Sequence, residues 1–304
     1  FSIVIFFISA ILGVVSYNFN SRRLSEKAAQ SLKFYSRQTA ANVDFTVDSM
    51  KHVTDYILSD PDMLNAMKTL PKYYGSSTYS KTIERNELLD TLNSGISMYY
   101  INSNFYRVII FNEFGDVASS TNTGSKITNK ARNTTAIDWL DSAARRHGKP
   151  ILVAPHMDGW GIRESEEVFS LVRKVQGGDF GYIEVQYATE KLKDIFEIPD
   201  SDIKVVAFLP GGHVLYRSEG LPDELVRYIK KHPAVTKMDS ITVSSDASMW
   251  TSASEVSNNY GIRVVALEEK TEIVAGMKEA LMIALGMAVG CFVISMGVVI
   301  FIAS

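Results

Sequence analysis

The sequence predicts an α+β protein: two tandem copies of one α/β module behind a long N-terminal helix, with a membrane-spanning helix at each end. Three observations predict it. Two stretches, Phe1–Tyr17 and Ala280–Ala303, carry no charged residue, and the second exceeds the roughly 20 apolar residues that a helix needs to cross a bilayer. Between Leu24 and Ile57, apolar or small residues recur at three- and four-residue spacing. From Phe105 the period becomes that of strands, and one strand–turn–strand passage occurs twice.

The first apolar stretch is near the lower length limit for a span. It reads as an uncleaved signal anchor, because no small-x-small cleavage pattern precedes the polar region. Leu24, Ala28, Leu32, Tyr35, Val43, Thr46, Met50, Val53 and Ile57 then form the stripe of an amphipathic helix of about 35 residues, roughly 50 Å long. Asp60-Pro61 reads as an N-cap with proline at the first helical position, opening a short helix through Met67 and Leu70. Gly75 and its neighbouring serines make a turn. Ile83, Leu88, Leu89, Leu92 and Ile96 mark another helix.

"YRVIIFNEFGDVASS" is a strand, a turn at Glu113-Phe114-Gly115 and a second strand. "IKVVAFLPGGHVLYRS" repeats it without gaps: Val108 aligns with Val205, Ile109 with Val206, Phe111 with Phe208, Gly115 with Gly212 and Val117 with Val214. The unit ends also correspond, "DFGYIEVQY" with "NYGIRVVAL", pairing Gly181 with Gly261 and Val185 with Val265. Each unit contains a hairpin, a helix (around Ala136 to Arg146, then Leu221 to Lys231) and further strands, which is an internal duplication. The second unit feeds into the C-terminal apolar stretch, so it is expected next to the membrane and the first unit far from it.

Composition narrows the function classes. A net charge of −3 and a pI of 6.0 give no electrostatic reason for a nucleic-acid partner. The only cysteine, Cys291, lies in the second apolar stretch. The middle therefore has no disulfide and no thiolate metal site. Arg22 and Arg23, just after the first stretch, weigh toward a cytoplasmic middle under the positive-inside rule. The signal-anchor reading places the middle outside, and we take that orientation.

These features together resemble the double Cache (dCache) sensor domain: a long helix, two PAS-like units and a flanking span on each side. The softer motifs are the glycine hairpins, "DWLDSA" followed by "GKPILVAPH", and "GYIEVQYATEKL". Their order is most similar to the sensing regions of YesM-type bacterial histidine kinases. The resemblance implies helical lead-in at 20–104 after a span at 1–19, a membrane-distal Cache module at 105–200, a proximal one at 201–271, and a linker with the second span at 272–304. It implies an extracytoplasmic ligand sensor in a bacterial cell membrane, multi-pass and homodimeric, that passes a conformational signal to the second span. A kinase domain would follow Ser304. Chemoreceptor and diguanylate cyclase inputs, or a membrane-anchored protein-interaction module, are the alternatives.

In this family the ligand lies in the distal module. Amino-acid-binding members carry Arg-x-Trp-Tyr-x-x-Ala and an acid on the last strand. Here those positions hold Ile137, Trp139, Leu140 and Ala143, with Gln186 in place of the acid. A carbohydrate or an organic acid is therefore expected in preference to an α-amino acid.

The residues themselves suggest a small polar ligand. Trp139 and Trp160 offer flat apolar faces, His156 and Asp158 offer hydrogen bonds, and Arg173 offers a bidentate fork. Tyr182 and Gln186 on the closing strand complete the candidate set. Trp139 also reads as the core anchor of its helix, and Arg173 as an exposed strand residue. Catalysis finds no support: the five histidines are scattered, with no helical zinc pair, nucleophile elbow or phosphate-binding loop. No cofactor and no metal are expected.

Overall fold

Helical periodicity shapes the first element. The computed structural model describes residues 2–76, 78–101, 105–120, 137–160, 166–199, 201–232, 239–242 and 249–269, with scattered residues between 282 and 297. Helix α1 (Ser2–Ser59) runs unbroken for 58 residues, about 87 Å at 1.5 Å per residue. Its buried positions, among them Leu32, Val43, Val47, Met50, Val53 and Ile57, follow the three- and four-residue spacing read from the sequence. Leu24, which begins that reading, is exposed.

The helix stops where the sequence places a cap. Asp60 leaves the helical region (φ −78°, ψ 116°) and its carboxylate accepts from the amides of Asp62 and Met63. Pro61 then opens α2 (Pro61–Thr69). A 3-10 turn (Leu70–Tyr73) leads toward α3 (Tyr79–Ile101). Leu92 and Ile96 of α3, with Met63 and Met67 of α2, close over the end of α1 in one apolar core.

Two antiparallel sheets follow. The first contains β1 (Arg107–Phe111), β2 (Val117–Ser119), β3 (Ile151–Met157), β4 (Glu167–Lys174) and β5 (Tyr182–Ala188), in the order β2-β1-β5-β4-β3. A short helix, α4 (Leu140–Ala144), precedes β3. A 3-10 turn and α5 (Lys193–Phe196) connect to the second sheet. That sheet contains β6 (Lys204–Phe208), β7 (Val214–Arg217), β8 (Asp239–Thr242), β9 (Met249–Val256) and β10 (Arg263–Glu269), in the order β7-β6-β10-β9-β8. Helix α6 (Asp223–Lys231) stands where α4 stands in the first unit. The duplication is thus realised as two copies of one topology.

The register corrects one detail. Val108 pairs with Val185, but its counterpart Val205 pairs with Ala266 rather than Val265. The closing strands therefore correspond one residue out of step with the glycine alignment. Gly181 explains the constraint on its side: its φ is +109°, and a Cβ there would meet the Phe111 carbonyl oxygen at 2.2 Å, so only glycine fits.

Helix α1 lies across one face of both sheets. Leu32 packs on Ala253 and Ala266 of the second sheet. Further along, Asp44 accepts from the Asn259 amide, and Asp48 accepts from the Tyr260 hydroxyl at 2.7 Å. Thr54 and Asp55 reach Arg173 of the first sheet. The middle of α1 thus meets the second unit, and its end meets the first.

Among the described residues, no helix is long and apolar enough to cross a membrane. Of the first apolar stretch, Ser2–Tyr17 forms the beginning of α1, where the side chains of residues 2–10 and 12 lie outside the description. Most of the second, Ala280–Ala303, lies outside the described residues. The described residues therefore give the helices and two sheets of the expected architecture, and no membrane-spanning helix is found among them.

Removing the α2 cap by Asp60→Ala should lower stability by about 1 kcal/mol. The check is a urea titration, in which the midpoint falls while the slope stays unchanged.

Candidate functional site

Strand alternation gives the first sheet two different faces. Val108, Ile110, Phe169, Leu171, Ile183 and Val185 turn toward α1. Arg107, Ile109, Phe111, Ser170, Val172, Tyr182, Glu184 and Gln186 share the other face. Across β1 and β5, Arg107 opposes Gln186, Ile109 opposes Glu184 and Phe111 opposes Tyr182. From β4, Ser170 and Val172 flank Gln186 and Glu184. Strand β3 joins through a bulge: Val153 pairs with Ser170, whereas His156 pairs with Val168. The extra residue reverses the alternation and turns His156 onto this face.

Glu184 stands in the middle strand with no exposed surface. Its Oε2 accepts from Trp160 Nε1 at 2.7 Å, and its Oε1 accepts from Ser170 Oγ at 2.8 Å and Gln186 Nε2 at 3.1 Å. His156 Nε2 stands 3.7 Å from Oε1. A carboxylate buried this deeply needs such a shell of donors.

Asp158 is also buried, its amide donating to the Glu166 carbonyl at 2.8 Å. Its Oδ1 accepts from the Trp160 amide and from Gln186 Nε2, each at 3.1 Å. Arg107, 3% exposed, holds Nη2 at 3.2 Å from Asp158 Oδ2, out of line for a hydrogen bond. Four buried atoms on this one face have no hydrogen-bond partner among the described residues: the donors Arg107 Nε and Nη1, and the acceptors Asp158 Oδ2 and Gln186 Oε1. A buried polar atom left without any partner costs about 1–3 kcal/mol; for Asp158 Oδ2 the ion pair with Arg107 offsets part of that cost.

An aromatic wall adjoins these groups. Phe111 stacks on Tyr182 at 5.3 Å, tilts against Trp160 at 4.6 Å and meets Trp139 edge-on at 5.9 Å. Ala143 of α4, Ile109 and Val172 complete the apolar cluster. Burial and the Glu113 carboxylate, which accepts the Tyr182 hydroxyl at 2.9 Å, push that phenol well above its ordinary range. His156 is raised as well. Burial opposes its imidazolium, but the Glu184 carboxylate, the Ala154 carbonyl and Asp158 outweigh burial.

Of the residues picked from the sequence, Trp139, His156, Asp158, Trp160, Tyr182 and Gln186 come together on this face. Arg173 does not, and that expectation is corrected. It shares a face with Phe169 and Leu171, as alternation requires, but that is the α1 face, where its guanidinium pairs with Asp55. The sequence reading missed Arg107, Ser170 and Glu184. One signal was available: charges in "YRVIIF" and "YIEVQY", strands otherwise apolar on both faces, must be buried and matched. Among the described residues, no group of three or more His, Cys, Asp or Glu side chains is placed to hold a metal ion.

No family model matches the chain, and no curated protein matches it in sequence. Solved structures do share its fold. The ligand-binding domain of the Pseudomonas fluorescens chemoreceptor CtaA, in complex with L-isoleucine, is 12% identical over 86% of this chain and 98% of that one, with a TM-score of 0.52. The ligand-binding domain of the Campylobacter jejuni chemoreceptor Tlp3, in complex with L-norvaline, is 12% identical over 83% and 94%, with a TM-score of 0.53. The extracellular domain of vpHK1S-Z8, described as a histidine kinase, is 11% identical over 86% and 96%, with a TM-score of 0.53. These likenesses establish the fold of ligand-binding sensor domains, with its two sheets and long N-terminal helix.

They also overturn the expected preference for a carbohydrate or an organic acid, since the neighbouring chemoreceptor domains hold amino acids. The premise of that preference fails on this chain as well. Ile137 and Gln186 leave the motif positions without charge, yet Arg107 supplies a guanidinium, and Asp158 and Glu184 supply carboxylates, from other positions on the same face.

Glu184→Gln should lower the His156 pKa, read by NMR titration of its ring protons. A group whose folded value is raised contributes stability that is complete below its unfolded value of about 6.5 and lost as pH rises through the folded one. Stability of the parent protein should therefore decline over that window, and the decline should flatten in the Glu184→Gln variant.

Proposed function

We propose that this chain is the ligand-sensing input domain of a membrane receptor, and that its ligand is an α-amino acid with an apolar side chain. One observation carries the reading: buried donors and acceptors without a hydrogen-bond partner among the described residues, borne by groups of both charge signs, stand on one sheet face beside an aromatic wall. Arg107 Nε and Nη1 suit an α-carboxylate, for which a guanidinium is the natural fork. Asp158 Oδ2 and Gln186 Oε1 suit an α-ammonium. Phe111, Trp139 and Trp160 offer the apolar surface on which an aliphatic side chain would rest. The neighbouring chemoreceptor domains, with L-isoleucine and L-norvaline bound, support the same class.

Phe1–Tyr17 and Ala280–Ala303 would hold the protein in a bacterial cell membrane as two spans, with the sheets outside the cytoplasm. Of the two units, 105–200 is the distal, ligand-holding module and 201–271 the proximal one. For the output we favour a histidine kinase of YesM type, on the order "DWLDSA…GKPILVAPH" and on the histidine-kinase extracellular domain that shares the fold.

Thermal shift with a panel of the common L-amino acids tests the proposal. A true ligand at a hundred times its Kd should stabilise the protein by about 2.7 kcal/mol. Arg107→Met should weaken that ligand about tenfold to a hundredfold, as expected for a lost charged hydrogen bond. A flat response to every L-amino acid would remove the proposal.

A further inference from the structure

The residue that falls outside the ligand face has a geometry of its own. Arg173 Nε donates to the Gly148 carbonyl at 2.8 Å. Its Nη1 donates to Thr54 Oγ1 at 3.3 Å and pairs with Asp55 Oδ1. Lys51, one turn earlier on α1, holds the other oxygen of Asp55 at 2.8 Å. One planar guanidinium therefore joins the turn after α4 to the final turns of α1.

That turn is strained. His147 has φ +49° and Gly148 φ +76°, so two consecutive residues adopt the left-handed region, which is unfavourable for a side chain such as histidine. Conformations of this kind persist only where surrounding contacts hold them. Here both carbonyls are held: Gln176 Nε2 donates to the His147 oxygen, and Arg173 donates to the Gly148 oxygen. The turn begins directly after α4, whose Ala143 and Leu140 pack in the aromatic wall with Trp139. A displacement of α4 at the wall thus bears on the Gly148 carbonyl, and from there through Arg173 on α1.

We infer that Arg173 is a positioning residue that couples the aromatic wall of the ligand face to α1, past the edge strand β3 of the first sheet. The inference rests on reading that face as a ligand site, and it makes α1 an element that responds to occupancy. The coupling depends on the fork rather than on charge. Lysine keeps the charge but cannot bridge a carbonyl and a carboxylate from one rigid plane.

Hydrogen exchange on the full chain, read over residues 51–59, tests this with and without ligand. Arg173→Met and Arg173→Lys should each speed exchange there about tenfold, the scale of one lost charged hydrogen bond, while Gln176→Ala should affect only the turn. Without ligand, Trp139→Ala should change exchange at 51–59 in the parent but not in the Arg173→Met background. Distant sites otherwise add, so additivity of the two changes would overturn the inference; Trp139→Phe serves if the alanine variant does not fold. With L-isoleucine as probe, protection at 51–59 should be present in the parent and absent in Arg173→Met, while protection of β5 remains in both. Protection at 51–59 that survives in Arg173→Met would also overturn it. If L-isoleucine protects nothing in the parent, the amino-acid reading fails for that ligand, and the ligand-free cycle still decides the coupling.

Discussion

Neither sheet can bury its inner face alone, and both rely on the stripe of α1. Leu32, Val43, Val47, Met50, Val53 and Ile57 have essentially no exposed surface. Leu32 packs on Ala253 and Ala266; the core of the others joins Val108, Ile110, Phe169 and Val185 of the first sheet to Val205, Ala207 and Val264 of the second. Such packing also holds the helix, since most helical stability in proteins comes from the buried face. The shared helix fixes the order of the units along its axis and consigns one face of each sheet to structure. The candidate site lies on the opposite face of the first sheet.

The duplication supplies an internal control for those faces. By register, Glu184 corresponds to Val265 and Gln186 to Leu267, because Ile109 opposes Glu184 as Val206 opposes Val265, and Arg107 opposes Gln186 as Lys204 opposes Leu267. In the second unit these positions are apolar and close, with Val206, Phe208 and Trp250, under Leu225 and Ile229 of α6. The topology is therefore stable with hydrocarbon where the first unit carries a carboxylate and an amide. A buried ionic group contributes little net stability compared with a well-packed apolar replacement. The charges of the first unit are therefore not explained by stability, as the proposed ligand site requires.

Much of the fold was legible because its signals are local. The three-four spacing, the Asp60-Pro61 cap and the repeated hairpin each depend on residues close in sequence, and each is realised. The one-residue slip of the closing strands was not legible, since aligned glycines mark turns and do not set register. The site was half legible. Trp139, His156, Asp158 and Trp160 stand close together in the sequence, and the structure brings them to one face. Whether Arg173 faces the ligand or the core depends on which side of the sheet α1 occupies, a tertiary fact. Arg107 and Glu184 escaped for the opposite reason: they lie within strands that read as core, and only the pairing of β1 with β5 shows that they share one face.

The unpaired atoms also bear on how such a site would signal. Arg107, Asp158 and Gln186 hold donors and acceptors without a hydrogen-bond partner among the described residues, so under the proposed reading a conformation shaped to receive a ligand would carry an energetic penalty without one. A bound zwitterion would relieve that penalty in proportion to how well it meets both signs of charge at once. This is the differential affinity between two states that any ligand-driven shift requires. A site already satisfied in its empty form would bind without preferring one state, and binding alone moves no equilibrium. The Glu184 shell is by contrast saturated by Trp160, Ser170 and Gln186, which gives the face a rigid centre beside an unsatisfied rim. A ligand meeting that rim would act on the groups free to move rather than on the core of the sheet.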